Sequence, residues 1–221
     1  MVDFSESFDW FSQPADERDP AYGSETKGQL TQLWDDVRSQ IGAEQFDPVL
    51  GSTRPGKLAS RSDGAWVQTN GEKDHNFVNM TLEIDAAELS LNVVGWFDTQ
   101  LEKMEGWLRQ PSAWRFLRTL PDWVLVVFVR KAHIAANGKP VFQGAPGEER
   151  ERIAFSDTSP ANISTRLTGL LPHLDSSREK LALHIRRAWT ADDCAAINGL
   201  SAAVAPEVER WLQPIQELRL A

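Results

Sequence analysis

The stretch that decides the fold is NFVNMTLEIDAAELSLNVV, residues 76–94. Apolar residues at positions 78, 80, 82 and 84 alternate with polar ones, and the alternation resumes at positions 89, 91 and 93. In a β-strand, successive side chains point to opposite faces. Two alternating segments joined by the short connection at residues 85–87 therefore predict an antiparallel hairpin with one buried face.

Two further apolar segments extend this hairpin into a sheet. Residues 123–129 (WVLVVFV) are continuously apolar, which is typical of a strand covered on both faces, so we expect this strand at the centre of the sheet. Residues 181–190 (LALHIRRAWT) alternate, and His184 and Arg186 fall on the side opposite the aliphatic residues. That side is either a functional face or the solvated side of a half-buried strand.

Helical periodicity appears between the strands. Residues 24–41 carry apolar residues at three- and four-residue steps, before Gly42: Leu30, Leu33, Trp34, Val37 and Ile41. Ser159-Pro160 begins another helix as cap and first residue. We predict an α+β fold in which helices pack on at least one face of a mainly antiparallel sheet.

Residues 89–98 and 181–190 resemble each other, since each is a strand followed by a helix cap. Either an internal ββα duplication or two similar half-buried strands explains this. Residues 46–64 and 144–151 are rich in turn formers and predict loops. In the last helix, Pro206 suits a first turn, whereas Pro214 should bend or break the helix.

The N-terminal residues 1–23 combine acidic side chains with Phe4, Phe8, Trp10 and Phe11, and two prolines and a glycine interrupt any regular period. We predict an acidic, aromatic arm followed by one α+β domain over residues 24–221. The alternative is two similar halves divided near residues 111–121. An arm of this composition is typical of segments that fold on a partner.

The charge is uneven along the chain. Net charge is -9, and residues 1–53 carry eleven acids against three bases, which leaves the remainder nearly neutral. This balance disfavours binding to nucleic acid or to an anionic membrane. A single cysteine, Cys194, excludes an internal disulfide and fits a reducing compartment. With no apparent signal peptide and no apolar run of membrane-span length, the sequence predicts a cytoplasmic protein.

Motifs of well-known catalytic sites are absent from the sequence: it has no phosphate-binding glycine loop, HExxH or GxSxG. We predict no metal and no cofactor. Cys194 follows Asp192 and Asp193 in a helix that begins at Thr190, so packing is the expected role of its thiol. Most of the nine tryptophans fit a core, and one or two that are exposed near a cleft would suit stacking on a planar ligand.

The candidate ligand-binding residues are basic. Residues 52–64 (STRPGKLASRSDG) carry Arg54, Lys57 and Arg61 among small and hydroxyl side chains that can approach an oxyanion. Arg130 and Lys131 form a second basic group at the end of the apolar strand.

These residues favour a binding or adaptor domain that recognises an anionic ligand or a protein partner. In one version, the aromatic arm docks on the basic loop at residues 52–64 and competes there with the ligand. The alternative is an enzyme acting on a small substrate that bears a phosphate or carboxylate, with Asp74 or His75 as acid or base. Nucleic-acid binding through the arginines is a third and weaker hypothesis.

Overall fold

The computed structural model describes residues 2–51, 53–55, 64–69, 78–95, 98–134, 140–141, 147–175 and 178–220. Its strands are β1 (Thr53–Pro55), β2 (Gly64–Thr69), β3 (Asn79–Asp85), β4 (Glu88–Gly95), β5 (Val124–Lys131), β6 (His133–Ile134), β7 (Pro140–Val141), β8 (Glu148–Ala154) and β9 (Glu179–Thr190). Its helices are α1 (Ser5–Ser12), α2 (Pro20–Ile41), α3 (Ala43–Leu50), α4 (Asp98–Leu108), α5 (Pro111–Leu117), α6 (Pro160–Leu170), α7 (Ala191–Ala196) and α8 (Leu200–Leu220).

Seven of these strands form one sheet in the order β1-β2-β3-β4-β9-β5-β8. Every neighbouring pair is antiparallel, and helices pack against the sheet, so the fold is α+β as predicted. The predicted hairpin is confirmed: β3 pairs with β4 in a register that sets Leu82 opposite Leu91. The resembling strands β4 and β9 are direct neighbours, and their origin by duplication stays a prediction.

The predicted position of the apolar strand is wrong. β5 lies second from one edge, and β4 stands at the centre of the sheet. Alternate residues of β5 are nevertheless buried on both faces, with Val127 in the main core and Val126 in a second, smaller cluster. A continuously apolar strand indicates that both of its faces are buried. Both faces of β5 are buried although it is not the central strand.

The buried apolar side chains of the helices belong to the main core on one face of the sheet. Helix α2 confirms the predicted stripe, since Leu30, Leu33, Trp34 and Val37 have no exposed surface. The helix begins at Pro20, four residues earlier than predicted. The side chain of Asp19 caps its N-terminus by accepting a hydrogen bond from the backbone N–H of Ala21. Of the helices that the structure describes, none has the length and apolarity to cross a bilayer.

Three expected loops or helix breaks are wrong. Residues 46–50 belong to α3, which the ion pair between Arg38 and Asp47 ties to α2. Residues 148–151 pair within β8. Helix α8 continues through Pro206 and Pro214, because apolar residues on both sides of each proline are buried: Val204, Val208, Trp211, Ile215 and Leu218.

The aromatic residues of the predicted N-terminal arm lie in the main core. Phe4, Phe8, Trp10 and Phe11 are between 2% and 8% exposed. Helix α1 packs near β3, α2 and α7. These aromatic side chains are therefore part of the packing on the helix-covered face of the sheet.

Candidate functional site

The opposite face of the sheet carries most of the buried polar residues of the strands. We call it the polar face. It includes Trp66 and Gln68 on β2, Thr81 and Glu83 on β3, Ser90 and Asn92 on β4, His184 and Arg186 on β9, and Val126, Phe128 and Arg130 on β5. The second apolar cluster, Val126, Phe128 and Ala182, also lies here, and it comes from strands alone.

Strand register arranges these side chains in rows. Asn92 is opposite Arg186, Thr81 is opposite Asn92, and Gln68 is opposite Thr81. Directly opposed residues of antiparallel strands have Cβ atoms about 5 Å apart. One polar row therefore crosses four adjacent strands, from β2 to β9.

The polar face is buried rather than solvated. Ser90, Asn92 and His184 have no exposed surface, and Arg186 is 4% exposed. The interpretation of the His184 and Arg186 side as the solvated side of a strand is therefore wrong. Polar groups removed from water are costly unless they are hydrogen-bonded, so the partners of these groups matter.

Two opposed residues keep polar atoms without a hydrogen-bond partner among the described residues. Asn92 donates from Nδ2 to Ser90 Oγ at 3.1 Å, but its Oδ1 accepts nothing. Arg186 forms ion pairs through Nη2, 2.7 Å from Glu88 Oε1 and 4.0 Å from Asp85 Oδ2, but neither Nη2 nor Nε has a hydrogen-bond partner. The site thus presents a buried donor and a buried acceptor from neighbouring strands.

Glu83 lies one position along from this row, opposite both Trp66 and Ser90. Burial raises the pKa of its carboxyl to about 7; Arg186 opposes this shift, while Asp85 and Glu88 add to it. No described residue donates a hydrogen bond to this carboxylate. Glu83 is thus a second buried acceptor when it is ionised.

His184 lies between two buried arginines along the same face. Burial lowers its pKa well below the ordinary value, and the charges of Arg186 and Arg130 lower it further. Its ring centroid is 4.7 Å from that of Phe128. Burial also lowers the pKa of Arg130. The imidazole is therefore neutral near pH 7, between two cationic side chains.

The structure separates the second pair of basic residues predicted from the sequence. Arg130 is 6% exposed and lies on the polar face. The side chain of Lys131 is 62% exposed, with Nζ 3.6 Å from Glu148 Oε2 and 4.0 Å from Glu179 Oε1. Consecutive strand residues point to opposite faces, so the two do not form one site.

The other predicted site residues are largely beyond what the structure describes. Arg54 lies on the edge strand β1, with its backbone opposite Gln68. Lys57, Arg61, Asp74 and His75 lie outside the described residues. The anion-binding loop and the acid-base pair therefore stay predictions.

Sequence reasoning missed Glu83, Ser90 and Asn92. All three were taken as the polar side of the hairpin, and alternation alone does not distinguish a solvated side from a buried polar one. The available signal was their short, mostly uncharged character on strands that we predicted in the same sheet as His184 and Arg186.

The structure also bears on the sequence predictions for the tryptophans and for Cys194. Seven of the eight tryptophans that the structure describes are buried, and Trp66, on the polar face, is the partly exposed one. Burial, and then the charge of Asp193, raise the pKa of the Cys194 thiol to about 12. Cys194 packs against the main core, as expected, and is not an activated nucleophile.

The clefts that the structure describes lie elsewhere. One of about 210 Å³ lies between α4 and β9 and is lined mainly by leucines.

Within the described ranges, no group of three or more histidine, cysteine or acidic residues is placed to hold a metal ion. No protein-family model matches this sequence, and a search of curated proteins finds no match. The polar face is therefore the candidate site on geometry alone.

Proposed function

We propose that this chain is a binding protein that takes a small anionic ligand on the polar face of its sheet, with Arg186 as the main cationic contact. The observation that carries the proposal is the buried Arg186 Nε, which has no hydrogen-bond partner among the described residues and lies opposite the unpartnered Asn92 Oδ1.

The chemistry of arginine favours an anion here. A guanidinium has five N–H donors in a fixed plane that matches a carboxylate or a phosphate. Glu88 holds the Nη2 side of Arg186, so the side chain is oriented before any ligand arrives. Hydrogen bonds to charged groups are strong where water is excluded, and Arg186 is 4% exposed.

Neighbouring groups support the same ligand class. Arg130 adds a second buried positive charge on this face. The neutral His184 lies between the two arginines and can donate or accept a hydrogen bond. An anion close to this imidazole would favour its protonated form, so binding and proton uptake should be coupled.

The test is ligand-dependent thermal unfolding at constant ionic strength with inorganic phosphate, acetate and citrate as probes. At least one anion should raise the unfolding midpoint of the wild-type protein and of Arg115→Gln, an exposed arginine on α5. Arg186→Lys should fold but lose most of the rise. A wild-type protein that no anion stabilises, or an unchanged rise in Arg186→Lys, would exclude the proposal.

A second candidate function is an enzyme that uses Glu83 as acid or base. The burial that raises the pKa of this carboxyl to about 7, within the same site, favours it. Here Glu83 takes the role that the sequence suggested for Asp74 or His75. If a bound ligand is turned over, Glu83→Gln should retain binding and lose turnover; equal turnover by both proteins would rule out this role.

A further inference from the structure

We infer that the ligand of the polar face is a planar heteroaromatic ring that bears an N–H group and is joined to a phosphate or a carboxylate. This inference rests on the proposed anion site and specifies the rest of the molecule that the site takes. It is carried by the arrangement of Trp66, Glu83 and Asn92 beside Arg186.

The first step is the mixture of donors and acceptors. Arg186 Nε offers a donor, whereas Asn92 Oδ1 offers an acceptor that no described residue satisfies. A fully ionised anion such as acetate has acceptors only, so it would satisfy Arg186 and leave Asn92 Oδ1 without a partner. A ligand that also carries an N–H group satisfies both atoms.

The second step is Glu83, which extends the acceptor side of the site towards β2. Its carboxylate receives no hydrogen bond from any described residue, and it is 9% exposed. A bare anion near this carboxylate would be repelled when Glu83 is ionised. An N–H donor on the ligand turns the same carboxylate into a favourable contact.

The third step is Trp66, which is opposite Glu83 in the register between β2 and β3. It is the partly exposed tryptophan among those that the structure describes. An indole surface beside a carboxylate is suited to a flat ring that stacks on the tryptophan and donates from its edge to the acid. The sequence predicted such a stacking tryptophan but did not identify which one.

The fourth step is the distance between the two ends. The register aligns Trp66 on β2 with Ala188 on β9, so Arg186 is three strand spacings across and two residues along from Trp66, roughly 16 Å between backbones. A nucleoside monophosphate carries its ring and its acid group at opposite ends, as the site requires, and an N–H heteroaromatic carboxylate such as orotate carries them in a shorter molecule.

The experiment compares whole ligands with their parts by titration calorimetry at pH 8, above the Glu83 pKa of about 7. The probes are the four common ribonucleoside monophosphates, their nucleosides, orotate, inorganic phosphate, acetate and phenyl phosphate. At least one nucleotide or orotate should bind tenfold or more tightly than phosphate, acetate and phenyl phosphate. A preference for nucleotides or for orotate identifies which acid group the site takes.

Variants separate this inference from the anion site itself. Trp66→Leu should remove most of the tenfold advantage while phosphate or acetate binding stays within twofold, and Trp66→Phe should restore part of it. Glu83→Gln should also narrow the advantage, because it weakens the contact with the ligand N–H group and removes the repulsion of a bare anion. Equal affinity for phosphate, phenyl phosphate and the ring-bearing ligands would overturn the inference and leave the proposed function standing. Tight nucleotide or orotate binding that Trp66→Leu does not weaken would also overturn it. Absence of binding by every anion would refute the proposed function instead.

Discussion

Glu83 shows what a single residue contributes on the polar face. Burial raises its pKa from 4.5 to about 7 in the folded protein. Between these two pH values the folded state holds a proton that the unfolded chain has lost. Stability therefore decreases as the pH rises through this window and stays lower above it. Each pKa unit corresponds to about 1.4 kcal/mol, so the loss has an upper limit of about 3 kcal/mol.

We predict that Glu83→Gln removes this pH dependence. Urea unfolding at pH 4.5 and pH 8 should show that the wild-type protein loses up to about 3 kcal/mol more than the variant between the two values. Glu217→Gln, an exposed site on α8, is the matched control and should follow the wild-type protein. Parallel wild-type and Glu83→Gln curves would show that Glu83 is ionised at ordinary pH in the folded protein.

The candidate site could be predicted from the sequence only in part, and the reason is visible residue by residue. Alternation placed His184 and Arg186 on one side of their strand correctly. It did not predict their burial, because burial depends on what packs over a face rather than on the period of one strand. Nor did it predict that Asn92 would lie opposite Arg186, because that register joins strands about 90 residues apart.

Among the elements, α8 depends on one buried polar junction with the sheet. Glu207 accepts a hydrogen bond from Trp123 Nε1 at 2.8 Å and pairs with Arg187 Nη1 at 2.7 Å. Its side chain is 8% exposed and that of Arg187 is 22% exposed. Removing the carboxylate charge therefore leaves a largely buried guanidinium without its partner on the helix.

We predict that Glu207→Gln destabilises the protein by about 2 to 3 kcal/mol. Glu209→Gln, two residues further along the same helix and exposed, should change stability by less than about 0.5 kcal/mol. Replacing Arg187 by methionine in the Glu207→Gln background should recover part of the loss, since the guanidinium that has lost its nearer carboxylate and keeps Asp122 at 3.4 Å is then gone. Chemical denaturation measures all three, and equal stability of the two glutamine variants would contradict the role of this junction.

Predictions of whole elements succeeded where one pattern determined the outcome. The β3–β4 hairpin and β9 follow from alternation, and α2 follows from its apolar stripe and Gly42. Predictions failed where packing outweighed a local signal. Pro48 and Gly51 suggested a turn, yet Phe46, Val49 and Leu50 are buried as one side of α3. Buried residues around Pro206 and Pro214 likewise keep α8 continuous.

For the complete sheet, the chemistry of its edges is as informative as that of its faces. The edge strand β8 has the sequence EERERIA, and its first three residues are exposed. The other edge is the three-residue strand β1, which ends at Pro55. Charged side chains, short length and proline all discourage pairing with a second sheet. Both edges of this sheet can therefore stay exposed without pairing with the edge strand of another sheet.

The N-terminal aromatic residues and the helix-covered face of the sheet form a single packing unit. Phe4, Phe8, Trp10 and Phe11 are nearly fully buried. Each such side chain contributes about 2 to 3 kcal/mol of hydrophobic stabilisation. Their sum is comparable to the total stability of an ordinary domain, which is about 5 to 15 kcal/mol. We therefore expect residues 2–18 to be needed for folding, and the arm that competes for an anionic ligand stays a prediction.

We predict that deleting residues 2–18, which retains the Asp19 cap of α2, abolishes cooperative urea unfolding and the near-ultraviolet circular dichroism of the tryptophans. The double variant Asp9→Asn and Asp16→Asn is the control for charge, because both residues are exposed and it leaves the aromatic core intact. It should unfold within about 1 kcal/mol of the wild-type protein. A shortened chain that unfolds cooperatively at the wild-type midpoint and binds polyanions more tightly than the double variant would instead support the arm that competes for an anionic ligand. The two outcomes exclude each other, since a displaceable arm requires a body whose core is complete without these aromatic side chains.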